Sequence, residues 1–296
     1  MRLSVRATLL LLLGLLLACH GPAEEATPPP LRVVAVETFL ADIAQNVAGE
    51  RLRVESLLPP GVEPHDYEPT PRDIARVAEC DLLIVNGAGL EGFLERLLES
   101  AGGYARIVVA SAGLAVEGAG GVDPHFWLDP NRVIRYVENI RDGLAQADPE
   151  GRERYAHNAE AYIAQLQALD RWIAGRVQEV PAGRRLLVTE HRVLGYFADR
   201  YGLRVVGTIV PGTSPEAAPS AQQLAQLVED IRASGAPAIF LEAGENPQLA
   251  RQIAAEAGIR VVSGLYTHSL SGPDGPAPTY IEMMRHNTRL IVEALK

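Results

Sequence analysis

The chain has 296 residues, of which 47% are hydrophobic and 22% are charged, and its formal net charge is −10 at pH 7. This composition is that of an ordinary globular protein, and the length predicts two domains or one large domain with an ample core. Because the charge is negative and no run of Lys or Arg occurs, the composition argues against a nucleic-acid-binding protein.

The N-terminal residues predict export from the cytoplasm. Arg2 and Arg6 precede a largely apolar run from Ala7 to Ala18. That run is too short to span a membrane as a helix, and with its basic start it is typical of a signal peptide, here residues 1–18. We therefore expect an extracytoplasmic protein, either a membrane-anchored lipoprotein or a periplasmic protein.

The residues around the first cysteine predict how the mature chain is attached to a membrane. The residues LLAC, which end at Cys19, resemble a bacterial lipobox. This implies cleavage before Cys19 and lipid attachment to its thiol, whereas the alternative is an ordinary secretory signal with an incidental cysteine. Residues 19–30 are rich in Pro and predict a flexible tether. The other cysteine, Cys80, leaves no disulfide framework and is expected to be a buried, inert thiol.

Residues 31–147 alternate predicted strands and helices. Short apolar runs predict strands at Leu31–Val36, Arg51–Leu58, Asp81–Asn86 and Arg106–Ala110. The segments between and after them predict helices at Thr38–Val47, Pro71–Cys80, Leu90–Ser100 and Asn131–Ala147. This alternation predicts an N-terminal α/β lobe with a mostly parallel sheet that is covered on both faces.

Residues 148–180 predict one long helix. Asp148 is a plausible N-cap, Pro149 fits the first helical position, and Pro181 ends the pattern. A helix of about 30 residues reaches roughly 45 Å, whereas a lobe of about 110 residues has a radius of gyration of about 13 Å. Because no heptad pattern is sustained, we expect this helix to lie across two lobes rather than in a coiled coil. Apolar side chains recur along one face, at Tyr155, Ala159, Ile163, Leu166, Leu169, Ile173 and Val177.

Residues 181–296 repeat the alternation. Strands are predicted at Arg185–Thr189, Leu203–Val210, Ala238–Glu242 and Ile259–Val262. Helices are predicted at Val193–Tyr201, Ala221–Ala233, Pro247–Ala257 and Thr279–Leu295. The whole sequence therefore predicts an α/β protein of two similar-sized lobes with mostly parallel sheets, joined by one long linking helix.

Four of the seven histidines lie in loops that follow predicted strands: His65, His125, His191 and His268. Ligands of open α/β sheets bind at the carboxyl ends of the strands, where these loops lie. Imidazole nitrogen suits zinc, copper, nickel and iron rather than calcium or magnesium, and four such ligands close a tetrahedral shell. The pattern predicts a site that holds a metal. Taken singly, each histidine is equally compatible with a solvated loop or a core position.

Nearby carboxylates are candidates for hydrogen bonds to these imidazoles. A buried His125 needs a partner for its second nitrogen, and Asp129 or Asp123 in the segment DPHFWLDP would supply one. Glu190 precedes His191 directly and is expected to be either a helix cap or an outer acid of the site.

Four segments resemble the metal-specific solute-binding proteins of ABC importers, the zinc/manganese class. The segments are PHDYEPTPRD, HFWLDPNR, YFADRYGL and the C-terminal LYTHSLSGPDGPAPTYIEMMRHN. The resemblance covers roughly residues 31–296. It implies two α/β lobes joined by one long rigid helix, a metal bound between them, and an ABC permease as partner.

The resemblance also implies a ligand set, with two departures. His65 and His125 match the two ligands of the N-terminal lobe, and His191 falls where zinc-type members have His and many manganese-type members have Glu. His268 falls where the family usually has Asp, so Glu242 or a water is the alternative fourth ligand. The loop 117–122 is short and lacks histidine, whereas many zinc-specific members carry a long His-rich insertion there.

We therefore expect a monomeric, lipid-anchored, extracytoplasmic receptor that captures Zn²⁺ and delivers it to a permease, with small rearrangements and release by loop motion around His191 or His268. Manganese, which prefers carboxylate oxygen, is the nearest rival cargo. A zinc-dependent hydrolase would need three ligands, a bound water and a general base such as Glu190 or Glu242, yet no H-E-x-x-H signature occurs. A structural lipoprotein or adhesin with incidental histidines is the third alternative.

Overall fold

The computed structural model describes residues 31–103, 106–114, 122–212 and 218–296. The predicted signal peptide, the tether, the lipidation site at Cys19 and most of the loop 117–122 lie outside these residues. The chain from Leu31 to Lys296 forms one compact unit. Within the described residues, no helix is both long enough and apolar enough to cross a membrane.

The first sheet has four parallel strands in the order β2-β1-β3-β4. Strands β1 to β4 are Val33–Ala35, Val54–Ser56, Leu82–Val85 and Arg106–Val109. The helices that surround them, α1 to α4, are Thr38–Ala48, Pro71–Glu79, Leu94–Ala101 and Pro130–Ala147. Successive residues of β3 face two different apolar clusters, so both faces of this sheet are covered.

The second sheet repeats this topology, with four parallel strands in the order β6-β5-β7-β8. Strands β5 to β8 are Leu186–Thr189, Arg204–Thr208, Ala238–Glu242 and Arg260–Leu265. Residues of β7 alternate between the central core and an outer cluster of the C-terminal lobe. The predicted fold class is therefore confirmed: two α/β lobes with parallel sheets.

The helix α5, Arg152–Gln178, joins the two lobes and is preceded by a 3-10 turn at Pro149–Gly151. Its 27 residues correspond to roughly 40 Å. One face is buried in a core cluster that also contains the inner faces of both sheets. This face includes Tyr162, whereas Ile163, which the periodicity predicted, is only half-buried. The remaining helices, α6 to α9, are Gly195–Tyr201, Ala221–Ser234, Gln248–Ala257 and Tyr280–Leu295.

The start of α5 differs from the prediction. Asp148 makes no side-chain cap; instead its carboxylate accepts hydrogen bonds from the guanidinium of Arg51 and from the hydroxyl of Tyr155. The guanidinium beside Asp148 holds the pKa of that carboxyl down at about 2. Asp148 thus ties the beginning of the linking helix to the loop before β2 in the N-terminal lobe.

Candidate metal centre

The four predicted histidines lie together in one cleft. His65 follows β2, His125 follows β4, His191 follows β5 and His268 follows β8, so all four lie beyond the carboxyl ends of strands. One ring nitrogen from each lies within 4.8 Å of those from the other three. Two imidazoles from each half of the chain are therefore close enough to share one ion.

The distances suit a small tetrahedral site. Nε2 of His125 lies 3.3 Å from Nε2 of His65 and 3.0 Å from Nε2 of His268. In a tetrahedron with zinc–nitrogen distances of 2.0–2.1 Å, neighbouring nitrogens are about 3.3 Å apart. The ring of His191 completes the group, with its centroid 5.2 Å from that of His268 and 5.5 Å from that of His125.

His125 is fully buried, and Asp123 holds its ring. Nδ1 of His125 lies 2.7 Å from Oδ1 of Asp123, which also accepts the backbone N–H of His125 at 3.1 Å. The prediction that Asp129 fills this role is wrong. A 3-10 turn at Phe126–Leu128 carries Asp129 away from the imidazole, and its carboxylate caps α4 by accepting the N–H of Asn131 at 2.9 Å.

His268 is buried against a different carboxylate. Its Nδ1 lies 2.9 Å from Oε1 of Glu242, at the end of β7. Glu242 therefore lies behind His268, beside the ring nitrogen that faces away from His125. Its predicted alternative role as a ligand that replaces His268 is not what this geometry favours. The carboxylates of Glu63 and Glu242 and a ring nitrogen of His268 form a second group within 4.8 Å.

These contacts determine which ring nitrogens carry protons. Carboxylates accept from Nδ1 of His125 and of His268, so both Nδ1 atoms are donors and each neutral ring presents its lone pair at Nε2. The two Nε2 atoms are only 3.0 Å apart. Two lone pairs at this distance repel each other unless a proton or a metal ion lies between them.

Without metal, the four rings together carry one proton more than four neutral imidazoles would. Burial lowers the pKa of His268, but the charges of Glu242 and Glu63 outweigh it and raise that pKa to about 9. Burial and the nearby charge of His268 lower the pKa of His65 to about 4 and that of His191 to about 2. The pKa of His125 is also depressed, for the same reasons. Three of the rings are therefore neutral and able to bind a metal at pH 7.

His191 is the one histidine of the four whose ring lacks a hydrogen-bonding partner among the described residues. It is 1% exposed, and neither Nδ1 nor Nε2 has a partner there. The turn around it is held by its backbone, since its carbonyl accepts from the hydroxyl of Thr189 at 2.7 Å and from the N–H of Val193 at 2.9 Å. An orphan buried imidazole is costly, and a bound cation at one nitrogen would satisfy it.

Glu190 does not support the ring of its neighbour His191. Its side chain faces Glu245, and burial together with the charges of Glu245 and Glu242 raises its pKa to about 7. The predicted outer acid is therefore present at the cleft, but it belongs to an acidic group around the site and does not orient an imidazole. A cation in the cleft would relieve the mutual repulsion of these carboxylates.

A segment of the C-terminal lobe is fastened to the N-terminal lobe beside the site. The indole N–H of Trp127 donates to the carbonyl of Thr267 at 2.6 Å, and the hydroxyl of Tyr280 donates to the carbonyl of Trp127 at 2.6 Å. The N–H of Leu270 donates to the hydroxyl of Thr38 at 2.8 Å. His268 is thus held by contacts with both lobes. No pattern in the sequence pointed to these bonds.

Comparison with known proteins identifies the family. The family model described as ZnuA, zinc-uptake complex component A, periplasmic, matches residues 33–294. This chain belongs to the ZnuA family. It is 36% identical over 267 residues to the manganese-binding lipoprotein MntA of Halalkalibacterium halodurans, covering 90% of this chain and 88% of the relative. It is 37% identical over 274 residues to the iron-binding protein YfeA of Yersinia pestis, covering 90% and 86%.

A solved structure of the same fold supports this assignment. The periplasmic zinc binding protein TroA from Treponema pallidum matches with a TM-score of 0.82 and 29% identity, over 90% of this chain and 99% of that chain. As a ZnuA-family member, this chain is an extracytoplasmic, metal-binding solute-binding protein of an ABC transporter, not an enzyme. The predictions of family, of a non-enzymatic role and of localisation are confirmed.

Proposed function

We propose that this protein captures Zn²⁺ through His65, His125, His191 and His268 and delivers it to the permease of an ABC importer. The observation that carries the proposal is the convergence of four imidazoles whose nitrogens lie within 4.8 Å of one another. Four nitrogen donors at tetrahedral separations suit zinc, and they leave no coordination position for a catalytic water.

The tautomers support the same conclusion. Asp123 and Glu242 accept from Nδ1 of His125 and His268, and this aims both Nε2 lone pairs into the cluster. A carboxylate behind a histidine is the usual way in which proteins orient a metal-binding imidazole and raise its basicity. The two carboxylates also balance the charge of a dication that four neutral rings would leave uncompensated.

Manganese or iron is the second candidate cargo, and the names of two relatives favour it: the MntA protein is called manganese-binding and the YfeA protein iron-binding. Manganese prefers oxygen ligands, whereas here the carboxylates of Asp123 and Glu242 contact imidazoles rather than replace them. Replacing His268 with Asp should therefore shift the balance of affinities from zinc toward manganese.

Delivery requires that the protein stay near its permease, and we propose that lipid on Cys19 provides this. Residues 19–30 would then form the tether and residues 31–296 the metal-binding part, which we expect to act as a monomer. Mass spectrometry of the N-terminal peptide from membranes tests this directly. A mature N-terminus without lipid on Cys19 would leave a secreted periplasmic carrier.

Competitive metal titration with elemental analysis of the purified protein tests the cargo. We expect one equivalent of zinc to bind and to be retained when manganese is present in excess. Preferential retention of manganese or iron would reverse the assignment of cargo. Failure to bind any transition metal at micromolar concentration would contradict the proposed function altogether.

A further inference from the structure

Glu63 contacts two of the candidate ligands, one from each lobe. It lies two residues before His65, in the loop between β2 and α2. Its Oε1 accepts the backbone N–H of His65 at 3.1 Å. Its Oε2 lies 3.2 Å from Nδ1 of His268. One carboxylate therefore spans the cleft from the N-terminal loop to a ring that belongs to the C-terminal lobe.

The second contact involves the ring nitrogen that faces away from the other imidazoles. Nδ1 of His268 carries a hydrogen that is directed toward Glu242 of its own lobe at 2.9 Å, and the carboxylate of Glu63 from the opposite lobe lies 3.2 Å from the same nitrogen. Nε2 of the same ring faces His125. The hydrogen bond to Glu242 therefore sets the orientation of Nε2 toward a bound metal, and Glu63 adds a charged contact from the opposite lobe.

The backbone beside Glu63 makes a parallel link. The N–H of Gly61 donates to the hydroxyl of Ser269 at 2.6 Å, one residue beyond His268. Glu63 itself remains accessible, because its side chain is 24% exposed. The segment 61–63 thus contacts the segment 268–269 twice, through the backbone of Gly61 and through the carboxylate of Glu63.

We propose that Glu63 is a positioning residue that holds His65 and His268 together around the bound metal and thereby slows its release. This inference rests on the proposed function, since it concerns the same four imidazoles. Moving the His65 loop away from the cleft would separate Glu63 from His268, so release of the metal by the His65 loop is expected to require breaking this contact.

The test is the rate of zinc dissociation into excess chelator, followed by stopped flow in the full chain. A Glu63→Gln variant keeps the shape of the side chain but removes its charge and one of its two acceptors. Outer partners of metal ligands typically contribute a factor of about 10–100 in affinity. We expect the dissociation rate constant to rise by this factor while the association rate constant stays within about twofold. The matched control is Glu68→Gln, an equal charge change at an exposed position on the same loop.

Two outcomes would overturn the inference. One is a Glu63→Gln variant that behaves like Glu68→Gln. The other is a loss that lies only in the association rate and disappears with added salt, since this marks long-range attraction rather than a bridge. If wild-type protein binds zinc, either outcome leaves the proposed function intact.

A second variant distinguishes the effect of the side chain's charge from the effect of its length. It also tests the proposal if Glu63→Gln fails to fold. Glu63→Asp keeps the charge but shortens the side chain by one methylene, so it cannot contact both His65 and His268. We expect faster zinc dissociation than in the wild type, with an unchanged circular dichroism spectrum. Wild-type dissociation from Glu63→Asp would show that charge suffices and would overturn the bridge.

Discussion

The two lobes contribute to the candidate metal centre in the same way, yet they differ in how firmly they hold their histidines. Each lobe supplies one imidazole with a carboxylate behind it: His125 with Asp123, and His268 with Glu242. Each also supplies one imidazole without such a partner on its ring, His65 or His191.

The difference lies in attachment. In the C-terminal lobe, the segment that carries His268 is hydrogen-bonded across the cleft, through Thr267 to Trp127 and through Leu270 to Thr38. His191 lies in a turn of its own lobe, and its buried ring has no partner among the described residues. The site is thus better described as a fixed group centred on His125 and His268, to which His191 is added. Release is then expected to involve the His191 turn and the His65 loop rather than separation of whole lobes.

Removing the central imidazole should have the largest effect. His125 contacts both His65 and His268, so we expect His125→Ala to weaken zinc binding by roughly 100-fold or more. A structural zinc site is worth about 10–16 kcal/mol, which is about 3 kcal/mol for each of four ligands. Isothermal or competitive titration measures this loss. The control is His157→Ala, on the exposed face of α5, and equal losses in the two variants would contradict the assignment.

Variants of His268 and Glu242 distinguish a metal ligand from the carboxylate that hydrogen-bonds to it. His268→Ala should weaken zinc binding by roughly 100-fold, whereas Glu242→Ala should cost only about tenfold, as for an outer partner of a ligand. Both affinities are measured by chelator competition. If Glu242→Ala proves the more damaging variant, the carboxylate is the fourth ligand and the ranking of the two residues is reversed.

The metal affinity should depend on pH because His268 holds a proton in the metal-free protein. Its pKa of about 9 means that zinc must displace this proton at any lower pH, so affinity should rise at least about tenfold per pH unit between pH 6 and 8. The dependence should flatten in Glu242→Gln, because the lost negative charge no longer raises the pKa of His268. A wild-type affinity that is constant over this range would contradict this account of the proton.

The smallest expected effect concerns the stability of the metal-free protein. It should have opposite signs for a histidine whose ring has no partner and for one whose ring contacts a carboxylate. His191→Leu removes a buried ring without partners, so the free energy of unfolding of the metal-free protein should rise by about 1 kcal/mol. His125→Leu leaves the Asp123 carboxylate without its imidazole partner and should lower that free energy by about 1–3 kcal/mol. Urea unfolding measures both, and changes of the same sign would remove the distinction between supported and orphan rings.

The alternation of strands and helices was predictable because buried parallel strands and amphipathic helices leave local periodic signals. The four histidines were predictable because each follows a strand, and parallel strands bring such loops to one edge. The carboxylates that contact the imidazole rings were harder to predict. The sequence left Asp129 and Asp123 as alternatives, and choosing Asp123 required the 3-10 turn at Phe126–Leu128.

The roles of Glu242 and Glu63 depend on contacts between residues far apart in sequence. Glu242 is 26 residues from His268, and the carboxylate of Glu63 meets that ring from the opposite lobe. No local pattern encodes such distances, because they follow from how the two sheets pack around α5. The departure from the usual Asp at position 268 was visible in the sequence, whereas its compensation by carboxylates behind the ring was not.

X-ray absorption at the zinc edge tests the central claim most directly. The account predicts that zinc in the purified protein is bound by four imidazole nitrogens at about 2.0 Å, with no water or carboxylate oxygen in its shell. A shell of three nitrogens with an oxygen ligand, or one that keeps four nitrogens after His268→Ala, would contradict it.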